Sequence, residues 1–282
     1  MAITINTNIA SLIVQKNLQD ATNGMNTAIE RMTTGLKINK AADDAAGMAV
    51  ATKFATKLSS AEIANSNAQI GSNMLTTAEG NLDLISEHLQ RVRDLTEQAA
   101  NGTYGTDAMT AIKTEVASRL DEIDRLTNNA EFNGKKLLDG TLTTGVNLQV
   151  GTGSTTDDYI TIEAAVFADA DSTALLGVSS SGSADKYASD SSARTFLTKI
   201  DEAIDKVTER KTKIGAYQNR ISSAIDALEV QTTNMTSALS TVQDADIATE
   251  SSNYIKNQIL QQAAASLLTT ANQTPSIALN LV

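Results

Sequence analysis

His88 is the only histidine among 282 residues, and the chain has no cysteine. A zinc site needs three or four converging imidazole, thiolate or carboxylate ligands, so His88 by itself does not make one. The zinc-protease pattern HExxH is also absent, because Leu89, Gln90 and Arg91 follow the histidine. A nucleophilic serine needs a base and a group that orients that base, and one histidine among scattered serines does not supply the set. Asp43 and Asp44 are paired carboxylates, but in "NKAADDAAGMAV" they stand directly before an alanine-rich run. Their side-chain oxygens can cap a helix there, and the positive end of the helix dipole favours their charge. Gly151 and Gly153 in "GTGSTTDD" look like a fragment of a phosphate loop, yet no lysine follows and no helix opens, which leaves a hairpin turn. The residues therefore predict no catalytic centre, no cofactor and no metal.

The helices that would position these residues are long. Hydrophobic residues make up 41% of the chain but aromatic residues only 3%, so a core must be built from Ala, Leu, Ile, Val and Met, the composition of helical seams. The single proline, Pro275, leaves long helices uninterrupted. A formal charge of −11 without a basic run argues against nucleic acid or anionic lipid as partners. No stretch of about 18 uncharged apolar residues predicts a membrane insertion. The opening "MAITINTNIASLIVQKNL" lacks the basic start, apolar core and cleavage site of a secretory leader, so any export is expected to proceed without one.

Leu18, Thr22, Met25, Ile29, Met32 and Leu36 alternate in steps of four and three, which predicts a coiled-coil seam on a helix ending near Gly35. Ile5, Ile9 and Leu12 continue it in a shifted phase, the pattern of a stutter. A second seam from Phe54 through Leu58, Ala61, Ala68, Leu75, Ala78, Leu82, Ile85 and Leu89 to Val92 predicts a helix reaching about Ala100. A third carries Ile112, Val116, Leu120, Ile123 and Leu126, and after the short "NGTYGTD" turn it should fold back antiparallel.

The period then drops to two at Val146, Leu148 and Val150 and again at Ile160, Ile162, Ala164 and Val166, which predicts a β-hairpin over about 144–167. Residues 171–193 are rich in Ser, Ala and Asp and read as an exposed loop. Phe196, Ile200, Val207, Ile214, Ile221, Ile225, Leu228, Met235, Leu239 and Val242 predict a helix of about fifty residues. A final apolar helix, "IKNQILQQAAASLLTTANQTPSIALNLV", closes the chain.

The expected fold is mainly α: a long antiparallel helical rod, coiled-coil-like, with one small β-hairpin and paired N- and C-terminal helices. Residues 1–41 and 245–282 form one discontinuous terminal domain, and residues 42–244 form the rod. The apolar terminal stripes are too weakly covered by each other to offset the entropy of ordering both segments. Neighbouring copies of the chain are the expected cover, with Ile29, Leu36, Ile255, Ile259, Leu267 and Leu268 supplying burial and Asp43 and Asp44 contributing caps and contacts.

The stretches "MAITINTNIASL", "GLKINKAADDAAGMAVATKF", "RLDEIDRLTNNAEFNGKKLL", "KIGAYQNRISSAIDALE", "DADIATESSNYIKNQIL" and "QAAASLLTTANQTPSIALNLV" resemble the terminal signatures of bacterial flagellins. They cover nearly everything outside residues 141–195. The resemblance implies a non-enzymatic subunit that self-assembles into the helical flagellar filament for swimming motility. It also implies an inner tube of terminal helices and a surrounding rod layer. Further implications are type III export to an extracellular location, an export chaperone covering about 244–282, and filament cap and hook-junction proteins as partners.

"LQRVRDL" with Gln90, Arg91 and Leu95, beside Glu115 on the next helix, resembles the family's stretch read by a host Toll-like receptor, a surface that also serves subunit contact. By pattern alone, Arg91, Arg93 and Asp94 are the solvated face of a seam helix. The short middle implies a minimal type without large outer domains, and the ending "IALNLV" departs from the family's usual Leu-Leu. A hook-filament junction protein is a related alternative, and a helical sensory or adaptor rod is an alternative from another class.

Overall fold

A computed structural model describes residues 7–279, with side chains as far as residue 273. Ile5 and the last residues of "IALNLV" lie outside the described residues. The contacts divide the chain into two compact units, residues 1–58 with 233–282, and residues 59–232.

In the first unit, α1 (Ile9–Thr34) starts at Asn8, whose side chain accepts the Ser11 N–H, and stops at Gly35. Gly35 has a φ of 73°, the left-handed conformation that only glycine adopts without strain. The start of α2 (Ala45–Ala99) follows a short linker. Asp44 Oδ1 accepts the N–H groups of Ala46 and Gly47, and Asp43 Oδ2 accepts those of Asn39 and Lys40. These two backbone donors hold the Asp43 carboxyl below its ordinary range. The paired carboxylates thus work as cap and turn, as their position before the alanine run predicts.

The unit closes with the end of α5 (Asp190–Gln243) and with α6 (Ile247–Leu279), which runs antiparallel to α1. The break before α6 is fixed by a bridge between Leu36 and Asp244, in which Lys37 N–H donates to Gln243 O at 2.6 Å and Ala245 N–H donates to Gly35 O at 2.9 Å. Asp246 then caps α6 by accepting the Ala248 N–H and the Thr249 hydroxyl.

In the second unit, the seams of α2 and α5 and that of α3 (Thr106–Asn129) meet as their heptad spacing requires. Leu75, Leu82, Ile85, Leu89, Val92, Val116, Leu120, Ile123, Ile200, Val207, Ile214 and Ile221 are all buried. Ion pairs Arg93–Asp201 and Asp83–Lys211 bridge α2 and α5 in antiparallel order.

A two-residue-per-strand hairpin, β1 (Glu131–Phe132) with β2 (Lys135–Lys136), turns at Asn133 and Gly134, both at positive φ. The larger hairpin pairs β3 (Val146–Gln149) with β4 (Tyr159–Ile162), with Val146 opposite Ile162 and Leu148 opposite Ile160. Between them Asp158 accepts the N–H groups of Gly153 and Thr155 and the Thr155 hydroxyl, so "GTGSTTDD" turns a carboxylate inward. An anion has no cradle there.

Two expectations are corrected. The alternation does not continue into Ala164 and Val166: β4 ends at Ile162, and a 3₁₀ turn over Ala164–Phe167 drives both Val166 and Phe167 into the core. Residues 171–193 are exposed over much of their length, as expected, but they are not an irregular loop. They hold the short helix α4 (Ser172–Leu176) and a 3₁₀ segment, Ser180–Tyr187. The serines hide a sparse set of buried apolar residues, Leu175, Leu176, Val178, Tyr187 and Ala193, and Asp124 of α3 anchors the segment by accepting the Ser172 N–H at 2.7 Å and its hydroxyl at 3.0 Å.

Candidate functional site: the assembly surface

The pair α1 and α6 is held by small residues. Ala21 and Ala28 on one helix and Ala264 and Ala271 on the other are buried, and Gly24 leaves room for the Asn257 amide against the backbone. Alanines seven residues apart on each helix let the axes approach closely, since interaxial distance follows the side chains at the contact. Polar bonds supplement them: Asn8 Nδ2 donates to Ala271 O at 2.8 Å, Gln261 Nε2 donates to Thr22 Oγ1 at 3.2 Å, and Arg31 pairs with Glu250.

This geometry corrects the seam expected for α1. The residues turned into α6 are Ala21 and Ala28, one position ahead of Thr22 and Ile29 in the expected heptad. Leu18, Met25 and Met32 are half-buried at its edges, and Ile29 is exposed. Alanines win the contact because bulkier side chains would hold the helices apart.

The large apolar side chains are left facing outward. Ile9, Leu12, Ile13 and Ile29 on α1, and Ile247, Ile255, Ile259, Leu260 and Leu267 on α6, are between 40% and 62% exposed. Leu36 and Leu268 are half-buried. A groove of about 420 Å³ runs between the helices, lined by Val14, Asn17, Ala21, Leu260, Ala264 and Leu267. Lys256 is the only charged side chain on α6 between Glu250 and Gln273. Large apolar side chains exposed in this number on one helix pair are unusual for a soluble monomer and mark a protein contact. Ile13, Ile247 and Leu260 belong to this surface although no sequence seam singled them out. The paired alanines seven apart were the available signal for which face turns inward.

Away from the terminal helices, Gln90 and Arg91 are exposed on α2. Glu115 on α3 is half-exposed and pairs with Arg119 at 2.9 Å, whose Nη1 lies 3.5 Å from His88 Nδ1. Leu95 is different: only 5% exposed, it packs in the core among the helices, so the reading of Leu95 as a surface contact is corrected to a packing role. Among the described residues no three His, Asp or Glu side chains converge to hold a metal, and no helix is long and apolar enough to cross a membrane.

Comparison with known proteins agrees with this picture at both ends of the chain. Residues 5–143 match the bacterial flagellin N-terminal helical region, and residues 197–282 match the bacterial flagellin C-terminal helical region. The chain is 38% identical to a flagellin of Bacillus subtilis (strain 168) over 303 aligned positions, covering 99% of both. It is 32% identical to the flagellar filament 33 kDa core protein of Treponema phagedenis, again with 99% of each covered. A solved flagellar hook-associated protein of Vibrio parahaemolyticus shares the fold, with a TM-score of 0.60 and 18% identity over 72% of this chain and all of that one. Apolar terminal helices left uncovered, in a chain whose relatives align from end to end, have one consistent origin: the chain belongs to the bacterial flagellin family and is a structural subunit of the flagellar filament.

Proposed function

We propose that the protein works without catalysis, as a secreted, extracellular subunit that polymerises with copies of itself through its terminal helices. Residues 1–41 and 245–282 form the inner tube, and residues 42–244 form the surrounding layer. Residues 42–58 and 233–244, which share a compact unit with the terminal helices, serve as the junction. The observation that carries this reading is the outward display of Ile29, Ile255, Ile259 and Leu267, with Leu36 and Leu268 at its margin. In the free subunit these side chains face water, and in the tube neighbouring copies cover them. Asp43 and Asp44 act by shaping the linker next to this surface.

The same apolar surface explains the need for a chaperone over 244–282 before type III export, since an uncovered patch invites premature association. Filament cap and hook-junction proteins engage the polymer at its two ends. Gln90, Arg91 and Glu115 offer the exposed polar groups for subunit contact and for a host Toll-like receptor, with Leu95 supporting them from the core.

The test is deletion of residues 255–282 followed by seeding with sheared filaments. Loss of elongation is expected, with the helical content of residues 59–232 retained. Normal elongation by the truncated chain would refute the reading.

A further inference from the structure

The chain contains three Asn-Gly steps: Asn23–Gly24, Asn101–Gly102 and Asn133–Gly134. Such a step is chemically special, because glycine has no Cβ to obstruct attack of its backbone nitrogen on the preceding side-chain amide. The structure places the three in different environments, and the differences decide which can react.

Asn23 lies inside α1, where the Gly24 N–H belongs to the helical ladder. Its side-chain oxygen accepts from Gln19 Nε2 at 3.0 Å, and the Asn257 amide covers Gly24. Asn133 and Gly134 form the turn of the β1–β2 hairpin, with φ of 49° and 79°, held by Phe132 opposite Lys135. Both steps must break ordered structure before the nitrogen can reach the side-chain carbonyl.

Asn101–Gly102 sits in the turn between α2 and α3, and both residues are exposed. The Asn101 backbone N–H donates to Gln98 O at 3.1 Å. Among the described residues, neither the Asn101 side chain nor the Gly102 N–H has a hydrogen-bond partner. A Cβ built on Gly102 would meet nothing within 4 Å.

We infer that Asn101 is a self-modification site, converted through a cyclic imide to a carboxylate while the other two steps stay intact. Solvent hydroxide removes the Gly102 amide proton, and the nitrogen attacks Asn101 Cγ. A new C–N bond closes the ring, and the side-chain nitrogen leaves as ammonia after taking a proton from water. Water then opens either carbonyl of the imide, giving aspartate or isoaspartate at position 101; the ammonia takes up the proton released by the new acid, so the net change is amide plus water to carboxylate plus ammonium. The product matters locally because Arg194 of α5 reaches this turn. Its Nη2 lies 3.4 Å from Ala100 O and 3.3 Å from Asp190 Oδ2, so the new carboxylate arises beside a guanidinium already shared with Asp190. The isoaspartate form also adds a methylene to the main chain of the α2–α3 turn.

The test uses the purified full-length chain, kept folded in warm, mildly alkaline buffer and then digested in acid. Peptides are read by mass spectrometry with fragmentation that separates aspartate from isoaspartate. Conversion at position 101 is expected to exceed that at positions 23 and 133 by at least about tenfold, the protection a modest local opening equilibrium gives. In denatured chain the three rates should converge. Gly102→Ala, which the open turn accommodates, should slow conversion at position 101 while helicity is unchanged. Equal conversion at the three steps in the folded chain, faster conversion at position 133, or none at position 101 would each overturn the inference.

Discussion

Arg31 and Glu250 join the two terminal helices: Arg31 Nη1 donates to Glu250 Oε1 over 2.9 Å, and Glu250 is the one charged residue of α6 that is buried. Arg31 also stands in the last turn of α1, where a cation complements the helix dipole.

Removing the carboxylate leaves a partly buried guanidinium facing α6 without its partner. Because Arg31 keeps 30% of its side chain in solvent, the loss falls below that of a fully buried pair. Glu250→Ala is expected to weaken the terminal pairing by about 1–3 kcal/mol, and Glu250→Gln by about 1 kcal/mol. Guanidinium-induced disassembly of filaments reads the difference. The double variant Arg31→Met/Glu250→Leu should recover most of it, because an apolar pair of similar volume replaces the ions without leaving either one stranded. Wild-type stability in Glu250→Ala would show that the pair is slack.

Gly71 and Leu148 define how closely the β3–β4 hairpin lies on α2. A Cβ on Gly71 would overlap the Leu148 methyl groups, and Leu148 is buried there. Gly71→Ala gains helix propensity of roughly 1 kcal/mol but pushes the buried Leu148 side chain out of its place, an overpacking that costs about 1–3 kcal/mol. A net loss of stability by urea unfolding is therefore expected. Gly71→Ala combined with Leu148→Ala should lose less than the sum of the single changes, since each relieves the other. Strict additivity would show that the two residues do not meet.

The heptads of α2, α3 and α5 were legible because each long helix presents one continuous apolar stripe to its neighbours, and burial of Leu82, Leu120 and Ile214 follows directly. Two kinds of information were not legible. On α1 and α6 the large residues point outward and alanines point inward, so hydrophobicity alone selected Ile29 over Ala28. A pattern that reports burial does not say whether the burying partner is in the same chain. In 171–193 the serines dominated the composition, while the order comes from a few long-range contacts, such as Ser172 with Asp124 and Tyr187 with Thr96. Leu95 shows the reverse error, in which a motif match placed on the surface a residue that the α2 seam turns into the core.

Tyr187 carries the last of these contacts and gives the chain an alkaline weak point. Its ring packs edge-on against Phe196, with centroids 5.8 Å apart, and its hydroxyl lies 2.7 Å from Thr96 Oγ1. Thr96 spends its only hydrogen on Val92 O at 2.6 Å, so Tyr187 is the donor to Thr96. Burial pushes the phenol up to about 12, and the Thr96 hydroxyl offsets part of the rise because, once the phenol ionises, it can turn from Val92 O and donate to the phenolate. The folded value lies above the unfolded one of about 10, so the folded state holds the proton longer. The resulting stability is whole below about pH 10 and fades as the pH climbs toward 12, a loss on the order of 2 kcal/mol. Tyr187→Phe keeps the ring contact and removes both the hydrogen bond and the titration. It should lose about 1 kcal/mol at neutral pH and then show a shallower alkaline decline than the parent chain. Unfolding midpoints measured across the alkaline range for both proteins check the slope. Parallel curves would mean that the Tyr187 phenol titrates alike in the folded and the unfolded chain, and that packing against Phe196 and Thr96 does not hold its proton.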